Sequence, residues 1–179
     1  MKTLKILVGL LLIAAASNAQ YRNIQLQAAG LTCSMCSNAI NKALKPLPFI
    51  GSIDTDLKNN LFLITVQEGT TPDFDLIRKK VEDAGFSVGK LTVEANFDNL
   101  PVADDVHSVV GGKNLHFVHV KDQTLKGWTR VQIIDKYYIV PAQYKKVKDY
   151  SSMSCYKTGV AGACCKDQKP GDRIYHVTI

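Results

Sequence analysis

The sequence predicts an α+β protein in two parts, and three observations lead there. Between residues 20 and 95, runs that alternate with period two and runs spaced as a helix follow in the order β-α-β-β-α-β. A pair of cysteines three positions apart sits in the first connection of that series. Beyond residue 101 the pattern changes to short apolar runs broken by Gly111-Gly112 and Asp135-Lys136, which are turn signals of a β-rich segment.

The chain opens Met1-Lys2-Thr3-Leu4-Lys5, runs apolar from Ile6 to Ala16 and continues Ser17-Asn18-Ala19. A basic start, a short apolar core and a small-residue exit predict a secretory signal peptide over residues 1–19. The apolar run is well short of the roughly 20 residues a membrane-crossing helix needs. No later run is long or apolar enough to span a membrane, and no Cys at the exit indicates a lipid anchor. Export sets a compartment that permits disulfides, with a bacterial periplasm the expected location.

The next 76 residues carry the six elements. Asn23 to Ala29 alternates, with Ile24, Leu26 and Ala28 on one face, as a half-buried strand does. Ser34 to Leu44 places Cys36, Ile40, Ala43 and Leu44 at helical spacing, and Pro46 and Pro48 end that helix. Ile50 to Leu57 and Leu61 to Val66 read as a hairpin around Lys58-Asn59-Asn60. Thr71 is the expected N-cap of a second helix with Pro72 in its first turn. Phe74, Ile77, Val81 and Ala84 line one face of that helix, and Gly85 stops it. Phe86 to Val93 is the fourth strand. This order is that of a ferredoxin-like domain over residues 20–95, two helices on one face of a four-stranded antiparallel sheet.

Cys33 falls in the loop after the first strand and Cys36 in the first turn of the helix, so both sulfurs can face one point. Unpaired N–H groups and the positive end of the helix dipole favour thiolate there. Thiolates bind soft metals such as Cu(I), Zn or Hg. A CxxC pair also serves as a redox couple or as half of a zinc site. A redox pair of the thioredoxin kind usually has Trp before the first Cys and Gly-Pro between the two, whereas here Thr32 precedes and Ser34-Met35 intervenes. No second CxxC or His pair lies nearby to close a zinc knuckle, since the nearest His is His107 and the next Cys is Cys155.

Gly30-Leu31-Thr32-Cys33-Ser34-Met35-Cys36, with the elements around it, resembles the heavy-metal-associated domain of copper chaperones, copper-pumping ATPases and periplasmic mercury-binding proteins. The resemblance covers residues 23–94. Its usual form is GMTCxxC, with Leu31 here in place of the Met. It implies that Cys33 and Cys36 bind the metal, that Thr32 and Met35 support the loop, and that Phe86, after Ala84-Gly85, shields the metal while also packing in the core. Members for Zn, Cd or Pb often carry an acidic residue before the first Cys. Thr32 is neutral, so two thiolates and Cu(I) are the expected pairing, with Hg(II) and Zn(II) as alternatives. The implied role is trafficking, delivery or sequestration of metal, without catalysis, in exchange with a donor or acceptor protein such as a membrane copper transporter or chaperone. The rival readings are a periplasmic mercury-binding protein, a thiol–disulfide oxidoreductase, and an adaptor that recruits a partner.

Residues 96–101 read as a linker and residues 102–179 as a small β-rich domain, for which a barrel of the OB type is one candidate form. Strands are expected over 106–110, 116–120, 128–134, 137–140 and 173–178. His116 and His119, three apart on a strand, point to opposite faces and so do not form a ligand pair. Cys155, Cys164 and Cys165 have two readings. One is a disulfide from Cys155 to Cys164 or Cys165, and the other is a second soft-metal site that also uses Met153. The formal charge is +6. Residues 20–95 hold eight basic and eight acidic side chains, and residues 96–179 hold twelve basic and eight acidic. So scattered an excess does not make a nucleic-acid surface.

Overall fold

The computed structural model describes residues 20–31 and 34–179. The expected export segment 1–19, and Thr32 and Cys33, lie outside the described residues. The first part has the expected order: β1 (Tyr21–Ala29), α1 (Ser34–Leu44), β2 (Ile50–Asp56), β3 (Leu61–Val66), α2 (Phe74–Asp83) and β4 (Ser87–Val102). These four strands are antiparallel in the order β2-β3-β1-β4, the ferredoxin-like arrangement. The period-two pattern of β1 buries Ile24, Leu26 and Ala28. The β2–β3 turn is organised by Asp56, whose carboxylate accepts from the N–H groups of Lys58 and Asn59 at 3.0 and 3.2 Å.

The ends of α2 decide where Phe86 lies. The N-cap is Asp73, whose carboxylate accepts from the Leu76 N–H at 2.9 Å, so the expected cap at Thr71 is corrected by two residues. The helix starts at Phe74, and that register puts the Asp73 carboxylate rather than the Thr71 hydroxyl at the cap. At the other end Gly85 takes φ +88°. Its N–H bonds Glu82 C=O at 2.9 Å, and the Phe86 N–H bonds Val81 C=O at 3.1 Å. That is a Schellman cap. It turns the chain so that Phe86 lands against the core between α2 and β4.

The second half corrects four expectations. First, residues 96–101 are not a linker but the outer half of the 16-residue strand β4. Asp98 and Asn99 look like linker chemistry because they form a bulge. Asn99 has φ +48°, and the pairing of β4 with residues 123–133 shifts register between Phe97 and Leu100. Second, no separate OB-type barrel forms. β5 (Val106–Val110), β6 (Lys113–Phe117), β7 (Gln123–Ile133) and β8 (Ile174–Thr178) extend the first sheet into one of eight strands, ordered β2-β3-β1-β4-β7-β8-β6-β5. A single core cluster runs from Ile24 and Phe62 through Phe97 to Phe117 and Val177. Third, residues 137–140 are a turn leading into α3 (Pro141–Val147), with Pro141 at the N-terminus of that helix, and a short α4 (Ser154–Thr158) follows. Fourth, the strand expected at 116–120 instead begins directly after Gly112 and ends at Phe117, and His119 is in the left-handed region at φ +57°.

Gly111 and Gly112, at φ +53° and +74°, form the two-residue turn between β5 and β6. A Cβ on Gly111 would lie 2.6 Å from both Gln20 Cβ and Tyr21 Cε2. Gly111→Ala is therefore expected to cost about 1–2 kcal/mol in urea unfolding, the strain of a positive φ together with displacement of Tyr21. Gly112→Ala has open space and should cost only the first of these.

Candidate functional site

The sequence singled out two groups of thiols, and among the described residues Cys36 packs on the main core whereas Cys155 and Cys165 belong to a separate small cluster. At the first, α1 begins with Ser34 and places Cys36 in its opening turn, half-buried and packed against the main core. Leu31, in the packing position before the pair, is buried. Met35 is 81% exposed, so it lies on the outer surface of the helix start, where a docking partner can reach it. Phe86 packs on the same core as Cys36. Cys33 and Thr32 lie outside the described residues. No acidic side chain stands in the first turn of α1, which leaves the thiol chemistry of that helix end without a hard oxygen donor from the turn.

The second group is assembled from three places in the chain. The Gly111-Gly112 turn pairs His107 on β5 with His116 on β6. Their rings stack, with centroids 4.2 Å apart and planes at 11°. Helix α4 delivers Cys155, fully buried, and the loop after it delivers Cys164 and Cys165. His107 Nε2 lies 3.4 Å from Cys155 Sγ and 3.5 Å from Cys165 Sγ. Cys164 Sγ is 3.4 Å from Cys165 Sγ, and His116 Nδ1 is 3.9 Å from Cys155 Sγ. The three sulfurs lie within 4.8 Å of one another, as do the donors of His107, His116 and Cys155.

The expected disulfide is not formed. Cys155, Cys164 and Cys165 are all free thiols, so neither Cys155–Cys164 nor Cys155–Cys165 is bonded. Cys155 Sγ is directed at His107 instead. Met153 packs as an apolar side chain against the cluster of Cys155, Ala161, Cys165 and Ile174. His119 stacks on Tyr150, with ring centroids 4.3 Å apart, in surroundings different from those of His116.

The electrostatics of this cluster suit neutral imidazole and available thiolate. Burial, helped by the neighbouring imidazoles of His107 and His176, pulls His116 down to about 4. Burial works to raise the Cys164 thiol, but hydrogen bonds from Ser154, the Cys155 N–H and the adjacent thiols outweigh it and bring it down to about 6. Burial pushes the Cys155 thiol up. His116 Nε2 sits 3.1 Å from Asp105 Oδ1, so with Nε2–H donating to that carboxylate, Nδ1 turns its lone pair toward Cys155.

Comparison with known proteins bears on the first group. Residues 25–87 match the heavy-metal-associated domain. Over 70 residues the chain is 39% identical to "Probable copper-transporting ATPase HMA5" of Arabidopsis thaliana, a stretch that is 39% of this chain and 7% of the relative. The chain thus spans a small fraction of that protein's length. Among solved structures, the yeast copper transporter domain Ccc2a is 35% identical, covering 36% of this chain and 88% of its own, at TM-score 0.32. A copper-binding domain from HMA7, a P-type ATPase, is 30% identical, covering 37% and 89%, at TM-score 0.34. Residues 25–87 are a heavy-metal-associated domain, homologous to those of copper-transporting ATPases.

Proposed function

We propose that the chain is an exported protein that holds Cu(I) between Cys33 and Cys36 and passes it to or from a partner outside the cytoplasm, in the periplasm. The observation that supports this reading most is the position of Cys36. It stands in the first turn of α1, within the heavy-metal-associated domain of residues 25–87, and the chain is 39% identical over 70 residues to a probable copper-transporting ATPase. Two thiolates with no acidic side chain in that turn suit a soft monovalent ion.

Transfer follows from low coordination. A thiolate or thioether of a partner adds to the two-coordinate ion, one original thiolate leaves, and the ion moves without any bond in an organic substrate being broken. The exposed Met35 offers that partner an apolar surface to approach. The partner of this chemistry is a metal donor or acceptor such as a membrane copper transporter or a chaperone. Among the described residues no helix is long and apolar enough to cross a membrane.

Anaerobic Cu(I) titration of the reduced protein against a competing chelator tests the reading. One tight equivalent that depends on Cys33 and Cys36 is expected, lost in Cys33→Ser/Cys36→Ser. Cu(I) uptake that is the same in the parent and the double variant would move the copper site away from α1 and sink the proposal.

A further inference from the structure

The geometry points to a second metal centre: we infer that His107, Cys155, Cys164 and Cys165 hold one Zn(II) ion in a closed four-coordinate site that is independent of Cys33 and Cys36. Around tetrahedral Zn(II), with Zn–S about 2.3 Å and Zn–N about 2.0–2.1 Å, a sulfur and a nitrogen lie about 3.6 Å apart and two sulfurs about 3.8 Å. His107 Nε2 is 3.4 and 3.5 Å from two of the sulfurs, and Cys164 and Cys165 are 3.4 Å apart. These spacings lie within a few tenths of an ångström of the coordinated ones and far from a disulfide. The three sulfurs lie within 4.8 Å of one another and His107 Nε2 faces two of them, with donors drawn from a strand, a helix and a loop rather than from one local turn.

The donor set selects the ion. Three thiolates and one imidazole are borderline-soft and match the closed Cys3His sites of structural zinc. Cu(I) would use the sulfurs and leave His107 idle. His116, stacked on His107 and fixed by Asp105, presents Nδ1 to Cys155 and gives that thiol an acceptor before the ion enters. Each coordinating thiol does so as thiolate and gives any proton it still carries to solvent, and a divalent cation with three thiolates leaves a centre of charge −1.

The site also has work to do. Residues 148–173 contain one five-residue helix and are packed by two small clusters, Tyr150 and Tyr156 against Val118, Ile134, Ile139 and Val147, and Cys155 with Ala161, Cys165 and Ile174. Such a segment has little core of its own, and a metal that ties it to β5 supplies what packing does not.

The test uses the Cys33→Ser/Cys36→Ser protein, so that its result and the copper result are separate. Co(II) is the probe, because its d–d absorption marks four-coordinate geometry and its thiolate charge-transfer band scales with the number of sulfur ligands. One equivalent of Co(II) with a tetrahedral spectrum is expected, displaced by one equivalent of Zn(II). Cys164→Ser and Cys165→Ser should each lower the charge-transfer band by about a third, and His107→Gln should weaken binding by at least about tenfold while leaving that band in place. Cys155 and Cys165 are buried, so hydrogen exchange without further substitution provides a second measurement. Zn(II) should slow exchange across residues 148–173 and leave β1 and β3 unchanged. Failure to bind Co(II), an octahedral spectrum, charge-transfer bands indifferent to Cys164 and Cys165, or Cu(I) uptake at these thiols with Zn(II) and Co(II) excluded would each overturn the assignment.

Discussion

Phe74→Ala is expected to lower the free energy of unfolding by about 3–5 kcal/mol and to leave both halves of the chain melting together. Phe74 opens α2 and is fully buried. Its ring meets Tyr21 of β1 edge-on at 5.5 Å and Tyr175 of β8 at 5.1 Å, and Lys113 Nζ of β6 lies 5.9 Å from its centroid. One side chain therefore joins the metal-associated domain to the strands that follow it. Truncation to Ala leaves a cavity at that seam, and the facing rings cannot close it without moving two strands. Domains of this size hold only about 5–15 kcal/mol in total, so the variant should be marginal. Trp128, the sole tryptophan, lies on β7 and reports the second half by fluorescence, while far-UV circular dichroism reports the whole sheet. Coincident urea transitions are expected from the two probes, before and after the substitution. Two separated transitions would mean that residues 20–95 and 102–179 are separate folding units despite their shared core.

Much of the first half was legible because its signals are local. Alternation in β1, the prolines after α1, and Gly85 with Phe86 at the end of α2 each follow from a few neighbouring residues and one backbone rule. The N-cap was misplaced because Thr71-Pro72 and Asp73 are both good cap chemistry, and only the helix register chooses between them. The second half failed where the signals are long-range. Asp98-Asn99-Leu100-Pro101 has the composition of a linker, and what makes it a bulged strand is the pairing of Leu100 and Pro101 with Leu125 and Thr124 on β7. His107 was not connected with Cys155, Cys164 and Cys165. Yet a signal was present: a two-residue turn at Gly111-Gly112 pairs Val110 with Lys113 and, three residues further back, His107 with His116. Reading the histidines along one strand, as His116 and His119, hid the pair that faces across two.

Asp75→Asn is expected to cost about 2–3 kcal/mol at neutral pH, an effect carried by hydrogen bonds to a charged group. From α2 the Asp75 carboxylate accepts from Tyr138 Oη at 2.7 Å, Tyr175 Oη at 2.9 Å and Arg173 Nε at 3.0 Å. Arg78 Nε is 3.7 Å away on its own helix, and Arg173 Nη2 continues the network to Asp135 Oδ2 at 2.8 Å. Burial alone would raise the Asp75 pKa. The Tyr138 hydrogen bond, the charge and hydrogen bond of Arg173, and the Tyr175 hydrogen bond outweigh it and hold the carboxyl below its ordinary value. A carboxyl with a depressed folded pKa contributes stability that is fully present above its unfolded value of about 3.9. That contribution is lost as pH falls through the folded value. The amide that replaces the carboxyl does not titrate. The stability gap between the parent and the variant should therefore be constant from neutral pH down to the mildly acidic range and narrow below about pH 4. Urea unfolding of the two proteins at matched pH measures the gap directly, and other titrating groups largely cancel in the difference. A gap that stays unchanged at acid pH would show that Asp75 contributes through shape and neutral hydrogen bonds rather than through its charge.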